Sequence, residues 1–341
     1  MFFFRKFIFI TSLYLIFSNI CFAQQEDTSL VTQLRHSLQK KYASLGILVR
    51  DVADFQIVRT MPGYNGFSVE NFRIKLTGDL DDNFGYHLET KLLNTPSILD
   101  AEVYYKFTPQ LKLDFGLFKL PFSSEFLVSE ADIDFVYRSQ TVNALALGKQ
   151  VGVMVSGKVN GDVLSYAGGI FNGNKGAKGN DNNQFLYVGR IVLEPFSDNS
   201  QSRFIKIGLN AAQSNDKSVS VMNFNFEGNR LLLGGDVNIT LNNFWLYSEA
   251  IWGRLKWVSG GINRPFGYQV TAGYSLSHKT QLLARWDSFK EDVNASQSDM
   301  VLLGFNIVPA ELFKFQLNYV VPVNDGKFKH HQLLFNAQFS F

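Results

Sequence analysis

Residues 111–159 read LKLDFGLFKLPFSSEFLVSEADIDFVYRSQTVNALALGKQVGVMVSGKV, and the contrast between the two ends and the middle of this stretch sets the fold. Leu111, Leu113, Phe115 and Leu117 interleave with Lys112, Asp114 and Gly116; Val151, Val153 and Val155 interleave with Gln150, Gly152 and Ser156. A period of two gives each flank one oily and one wet face, which is the pattern of a β-strand. Residues 120–148 break that period. A connection this long between neighbouring strands is several times the usual hairpin length, and such loops tend to be functional or disordered. Phe122, Phe126, Phe135 and Tyr137 give this one too much aromatic surface for a disordered tether. The expectation is a loop that folds into the mouth of a β-barrel and narrows it.

Working outward, about 16 strand-like segments follow one another: 45–58, 68–80, 84–93, 98–107, 111–119, 149–159, 163–171, 184–194, 203–212, 229–241, 244–255, 266–277, 280–288, 299–308, 312–321 and 330–341. Their lengths suit a tilted strand crossing a bilayer, which needs about 9–11 residues. Tight turns at Asp81–Asn83, Thr108–Gln110, Asn242–Asn243 and Pro309–Glu311 alternate with longer links such as Leu120–Gly148, Asn172–Asn183, Gln213–Gly228 and Lys256–Pro265. Short turns at one end and long loops at the other are the asymmetry of outer-membrane barrels, whose loops face outside. The fold class expected is therefore all-β: a transmembrane antiparallel β-barrel of about 16 strands over residues 45–341, with the loop at 120–148 constricting the pore.

Composition agrees. Hydrophobic residues make up 46% of 341 and aromatics 15%, yet no apolar run beyond the N-terminus is long enough for a membrane helix. A formal charge of +2 lacks the basic excess of a nucleic-acid binder. Residues 1–23 read as a signal peptide: Arg5 and Lys6, an apolar run from Phe7 to Phe17, then Cys21-Phe22-Ala23. Cleavage after Ala23 removes the single cysteine, and with it any disulfide or thiolate metal site. The alternative, a lipid anchor on Cys21, is disfavoured by the bulky Ile20 before it. In the N-terminal segment, 24–44, Leu30, Leu34, Leu38 and Tyr42 recur every four residues, as a short periplasmic helix or as a frayed linker.

With apolar positions facing lipid, the inward basic residues are Arg73, Lys75, Lys91, Lys106, Lys112, Lys158, Arg190, Lys206, Arg230, Arg285 and Lys314, and the inward acids are Glu89, Glu102, Asp114, Asp236, Glu249 and Asp287. Eleven against six is a wall excess of five positive charges, which favours small anions such as chloride or phosphate unless the charges pair across strands. The loop carries Glu125, Glu130, Asp132 and Asp134 against Arg138 alone. These acids either oppose anions at a constriction or tie the loop to wall arginines and lysines. Five scattered histidines and the lack of G-x-S-x-G or H-E-x-x-H speak against an enzyme, a metal site or a cofactor. Asp79, Asp81 and Asp82 read as a solvated turn.

Several stretches are similar to one family. Phe72-Arg-Ile-Lys-Leu-Thr-Gly, Gly85-Tyr-His-Leu-Glu-Thr-Lys-Leu, Leu99-Asp-Ala-Glu-Val-Tyr-Tyr-Lys, Gly116-Leu-Phe-Lys-Leu-Pro-Phe-Ser-Ser-Glu and Val151-Gly-Val-Met-Val-Ser-Gly resemble the phosphate-selective porin O and P family. The resemblance implies a 16-stranded, commonly trimeric barrel in the bacterial outer membrane, in contact with membrane lipid and lipopolysaccharide, with a loop in its pore and small anions as cargo. The acidic loop departs from the strongly basic pathway of phosphate-specific members. The expectation is an outer-membrane porin with mild anion preference; its alternative is a structural or adhesive barrel sealed by the loop.

Overall fold

In a computed structural model, residues 37–57, 65–159, 161–197, 202–323 and 330–341 are described. The expected signal peptide and residues 24–36 lie outside the described residues, as do 58–64, 160, 198–201 and 324–329.

Alternation produces strands over most of the chain. They are β1 (Ser44–Gln56), β2 (Gly66–Asp79), β3 (Phe84–Lys91), β4 (Ser97–Thr108), β5 (Leu111–Lys119), β6 (Lys149–Val159), β7 (Leu164–Phe171), β8 (Leu186–Ser197) and β9 (Arg203–Val221). There follow β10 (Phe224–Leu241), β11 (Phe244–Trp257), β12 (Ile262–Asn263), β13 (Phe266–Ser277), β14 (Thr280–Lys290), β15 (Ser298–Ala310), β16 (Phe313–Pro322) and β17 (Gln332–Ser340). Sixteen long strands pair antiparallel with their sequence neighbours, and β17 returns to pair with β1, so the sheet closes on itself. The two-residue β12 is an extra strand that extends only the end of β11. Closure leaves no edge, which is what a sheet in hydrocarbon requires.

The two faces differ as the alternation requires. On β16 and β17, Phe313, Leu317, Leu333 and Phe335 are exposed on the outer face, while Gln316, Asn318, Asn336 and Gln338 are buried on the inner one. Cross-strand aromatic pairs such as Phe313 with Phe339 brace the outer face.

Two expectations change. Residues 213–228 form no long loop: β9 and β10 run on to a two-residue turn at Met222–Asn223 and are 19 and 18 residues long. Past the apolar belt the outward residues become Gln213, Asn215 and Lys217, so the lipid-facing pattern disappears while the backbone ladder continues. Ser44 belongs to β1 rather than to the N-terminal segment. Within that segment, Lys41 pairs with Asp82 at 2.8 Å, and its carbonyl accepts the Asp79 N–H. Asp81 shapes the β2–β3 turn by accepting the N–H groups of Asn83 and Phe84, which hold its carboxyl below the usual carboxylate range.

On the inner face, Arg190 of β8 reaches over Gly208 of β9 to make a two-pronged ion pair with Asp236 of β10, at 2.7 and 3.0 Å. A Cβ at Gly208 would collide with both partners, whereas one at Gly235 meets Leu209 at an ordinary 3.5 Å. Gly208→Val should therefore destabilise the detergent-folded barrel by about 3 kcal/mol or more in guanidinium unfolding, because it breaks a buried pair. Gly235→Ala should stay within about 1 kcal/mol of the parent.

Candidate functional site

The site is built by residues 120–148, which carry two short helices, α1 (Ser124–Leu127) and α2 (Gln140–Leu145). A helix this short leaves most of its N–H groups without internal partners. Carboxylates on the barrel strands supply acceptors. Glu249 of β11 accepts from Ser124 N at 2.8 Å, from Glu125 N at 3.2 Å and from the Ser123 hydroxyl at 3.1 Å. Asp287 of β14 accepts from Gln140 N at 2.9 Å, at the start of α2. The two helices are then joined: Glu125 accepts the Ser139 N–H and hydroxyl, and Arg285 pairs with Glu125 at 2.9 Å. Negative charge at helix N-termini also meets the helix dipole favourably.

Amides hold the middle of the segment. Asn318 accepts Val136 N at 2.7 Å, Asn306 donates to the Asp134 carbonyl at 2.8 Å, and Gln316 and Lys314 donate to the Ile133 carbonyl. Apolar packing completes the attachment. Phe122, Val142 and Leu145 join a buried cluster with Phe171, Leu186, Phe226, Leu232 and Ile251. Phe135 and Val136 join a second one with Val52, Leu283, Leu302 and Val320. Phe135 also lies under Arg285, whose guanidinium is 4.4 Å from its ring centre.

On the opposite side the segment faces β1 to β6 across a cavity of about 380 Å³. Glu130 is the hub there: Arg50 of β1 pairs with it at 2.6 Å, Arg138 bonds to it from within the segment, and Arg73 lies 3.8 Å away. Lys119 donates to the carbonyls of Phe126, Leu127 and Val128 at the end of α1. Lys149 bonds Asp100 and Glu89. The cavity is lined by four cations (Arg73, Lys75, Lys119, Lys149) and four carboxylates (Glu89, Asp100, Glu102, Glu130). Arg50 and Arg138, both bonded to Glu130, lie behind this lining.

The expected wall charges are mostly paired. Arg73 pairs with Glu89, Lys106 with Asp79, Lys112 with Asp114, Lys158 with Asp162, Lys206 with Glu194 and Arg230 with Asp216. Arg190 and Arg285 pair with Asp236 and Glu125, and Lys314 bonds segment carbonyls. Among the described residues Lys75 and Lys91 form no ion pair, and Lys75 is exposed. Within the segment, Glu125 and Glu130 are anchors, Arg138 bonds Glu130, and Asp132 and Asp134 line a separate 300 Å³ cavity with Lys314.

Arg50, Lys119, Lys149 and Asp100 are absent from the expected set. Arg50 escaped because both faces of β1 carry apolar residues, Leu45, Ile47 and Val49 on one and Leu48 and Val52 on the other, so the phase is ambiguous. His87, Glu89 and Asp100 bring ligand atoms within 4.8 Å of one another, but the Lys149 ammonium already bonds both carboxylates.

The sequence profile of the family described as phosphate-selective porin O and P matches residues 46–333. No curated protein matches the chain in sequence. Among solved structures, the trimer form of in-vitro folded OmpT, an outer membrane protein of Vibrio cholerae, is 13% identical with a TM-score of 0.65, over 88% of this chain and 99% of that one. An anion-selective porin from Comamonas acidovorans is 11% identical with a TM-score of 0.66 over the same shares. The outer membrane channel DcaP of Acinetobacter baumannii is 13% identical with a TM-score of 0.60, over 89% and 99%. At these identities the likeness concerns the fold.

Removing the acceptor at Glu249 strands four donors, three from the segment and the Tyr247 hydroxyl. Glu249→Ala should loosen the segment by about 3 kcal/mol, seen as faster tryptic cleavage after Arg138 in the otherwise intact barrel.

Proposed function

We propose, for a chain that belongs to the phosphate-selective porin O and P family and is a bacterial outer-membrane porin, that small hydrophilic solutes cross it passively with a mild preference for anions. In this reading residues 120–148 lie in the pore and narrow it, leaving a path along β1 to β6. The bonds from Glu249, Asp287, Asn318 and Gln316 to the segment support that placement, since all four are buried on the polar face of the closed sheet. The observation that carries the anion preference is Lys75, an exposed cation with no ion pair among the described residues, in a cavity lining of four cations and four carboxylates. Cations that already hold carboxylates still contribute to the field, but the attraction is weaker than eleven free charges would give. Phosphate is the sharper form of the proposal, and the family supports it more than the wall does. A homotrimer is the assembly expected from the family and from the trimer form of the Vibrio cholerae protein.

A second reading, a barrel closed by the segment, draws on the apolar cluster that joins Phe122, Val142 and Leu145 to Met222 and Phe226 of the β9–β10 hairpin. Planar bilayers separate the two. A conducting protein should show a chloride-to-potassium permeability ratio above one, and Lys75→Glu should lower it at least about twofold. Cation preference in the parent protein would refute the anion reading, and block of chloride current by phosphate would establish the sharper one. No conductance until residues 122–145 are deleted would favour the sealed barrel.

A further inference from the structure

Where residues 120–148 face β10, β11 and β14 there is a separate cavity of about 230 Å³. Asn238 and Thr240 of β10 and Trp245 and Tyr247 of β11 form its wall, and Ser124 and Asp134 line it from the segment. Register brings the wall residues together: Thr240 lies opposite Trp245 and Asn238 opposite Tyr247, just inside the tight turn that follows Leu241, so the cavity lies toward the short-turn end. Polar capacity is left over here, unlike elsewhere on the inner face. Among the described residues, the side chains of Ser124, Asn238 and Thr240, the Trp245 indole N–H and the Asp134 carboxylate make no hydrogen bond or ion pair within the chain. Glu125 and Arg285, which also line the cavity, pair with each other at 2.9 Å. The indole is fixed in place: a Cβ at Gly273, opposite Trp245 on β13, would collide with it, and the ring packs against the cluster of Phe135 and Leu283.

We infer that this cavity binds a single uncharged sugar ring, with Trp245 as its apolar platform and Ser124, Asp134, Asn238 and Thr240 as partners of its hydroxyls. The inference rests on the placement of residues 120–148 inside the barrel, and it names one class among the small hydrophilic solutes of that reading. A pyranose carries C–H groups on its faces and hydroxyls around its edge. The faces need a flat, rigid apolar surface, which an indole presents at low entropy cost. The edge needs several donors and acceptors at fixed positions, and a carboxylate is the strongest acceptor among them. Size agrees, since 230 Å³ falls below the roughly 300–1,000 Å³ of sites for drug-sized ligands and so admits one ring. An anion would meet an unpaired carboxylate at Asp134. A cation would meet the Arg285 guanidinium as well as Asp134, and would leave the amide and both hydroxyls unused.

The test titrates D-glucose into the full chain folded in detergent micelles, followed by ligand-observed NMR, with L-arginine as the charged comparator. Glucose should bind saturably and more tightly than arginine. Trp245→Leu and, separately, Asn238→Ala/Thr240→Val should each weaken glucose at least about fivefold, because a ring face or a buried hydroxyl then lacks its partner. Asn238 and Thr240 bond nothing else in the chain, so the double variant carries the test if Trp245→Leu does not fold. Absence of saturable glucose binding by the folded parent would overturn the inference, as would unchanged affinity in the double variant. Tighter binding of arginine would overturn it too, and would assign the cavity to cations through Asp134. Planar bilayers keep this separate from the pore reading: a chain that conducts without binding glucose loses the sugar site alone, whereas one that binds glucose without conducting keeps the site and loses the open pore.

Discussion

A backbone N–H or C=O in hydrocarbon has no water to bond, so every strand of this chain must find both neighbours, and only a ring provides them. The contact that makes the ring is the pairing of β1 with β17, from Leu48 opposite Ser340 to Gln56 opposite Gln332. Everything else follows from it. Once the sheet is closed, one face of each strand is committed to lipid and the other to the interior. The period of two in the sequence is the record of that division. The outward Phe and Leu residues need no partner beyond acyl chains, whereas inward polar groups must satisfy one another or the segment they bond.

That second demand explains the chemistry of the inner face better than a count of charges does. Glu249 and Asp287 would add negative charge to a bare wall. Here they are spent as acceptors for the first N–H groups of α1 and α2, and Glu125 is balanced by Arg285. The same holds for Glu130 between Arg50 and Arg138. Glu125 and Glu130 therefore act as anchors rather than as members of a repulsive ring. A buried pair of this kind contributes little net stability, but removing either partner leaves a charge or a donor stranded, so it specifies one position for the segment.

The strands were legible because alternation is a local property. Segments read as 111–119, 149–159 and 266–277 coincide with β5, β6 and β13. The upper halves of β9 and β10 were not legible, since above the lipid both faces lose the contrast: Gln213 and Asn215 point out while Ala212 and Ser214 point in. The extra β12 is two residues long and carries no period at all. The aromatic load of residues 120–148 correctly suggested a packed element, with Phe122 and Phe135 fully buried. Its partners were beyond reach of sequence patterns, because Glu249 lies more than a hundred positions from the helix it caps. Arg50 was hidden by the apolar residues on both sides of β1, and Lys119 and Lys149 by their places at the ends of strands, where alternation gives way.

The attachment points of residues 120–148 also impose an order in time. Its partners come from β1 at one end of the chain and from β11, β14, β15, β16 and β17 toward the other: Arg50, Glu249, Asp287, Asn306, Asn318 and Gln338. These groups become neighbours only after the first and last strands have met. The full set of attachments therefore exists only in the closed ring, so the seating of the segment is coupled to the pairing of β1 with β17.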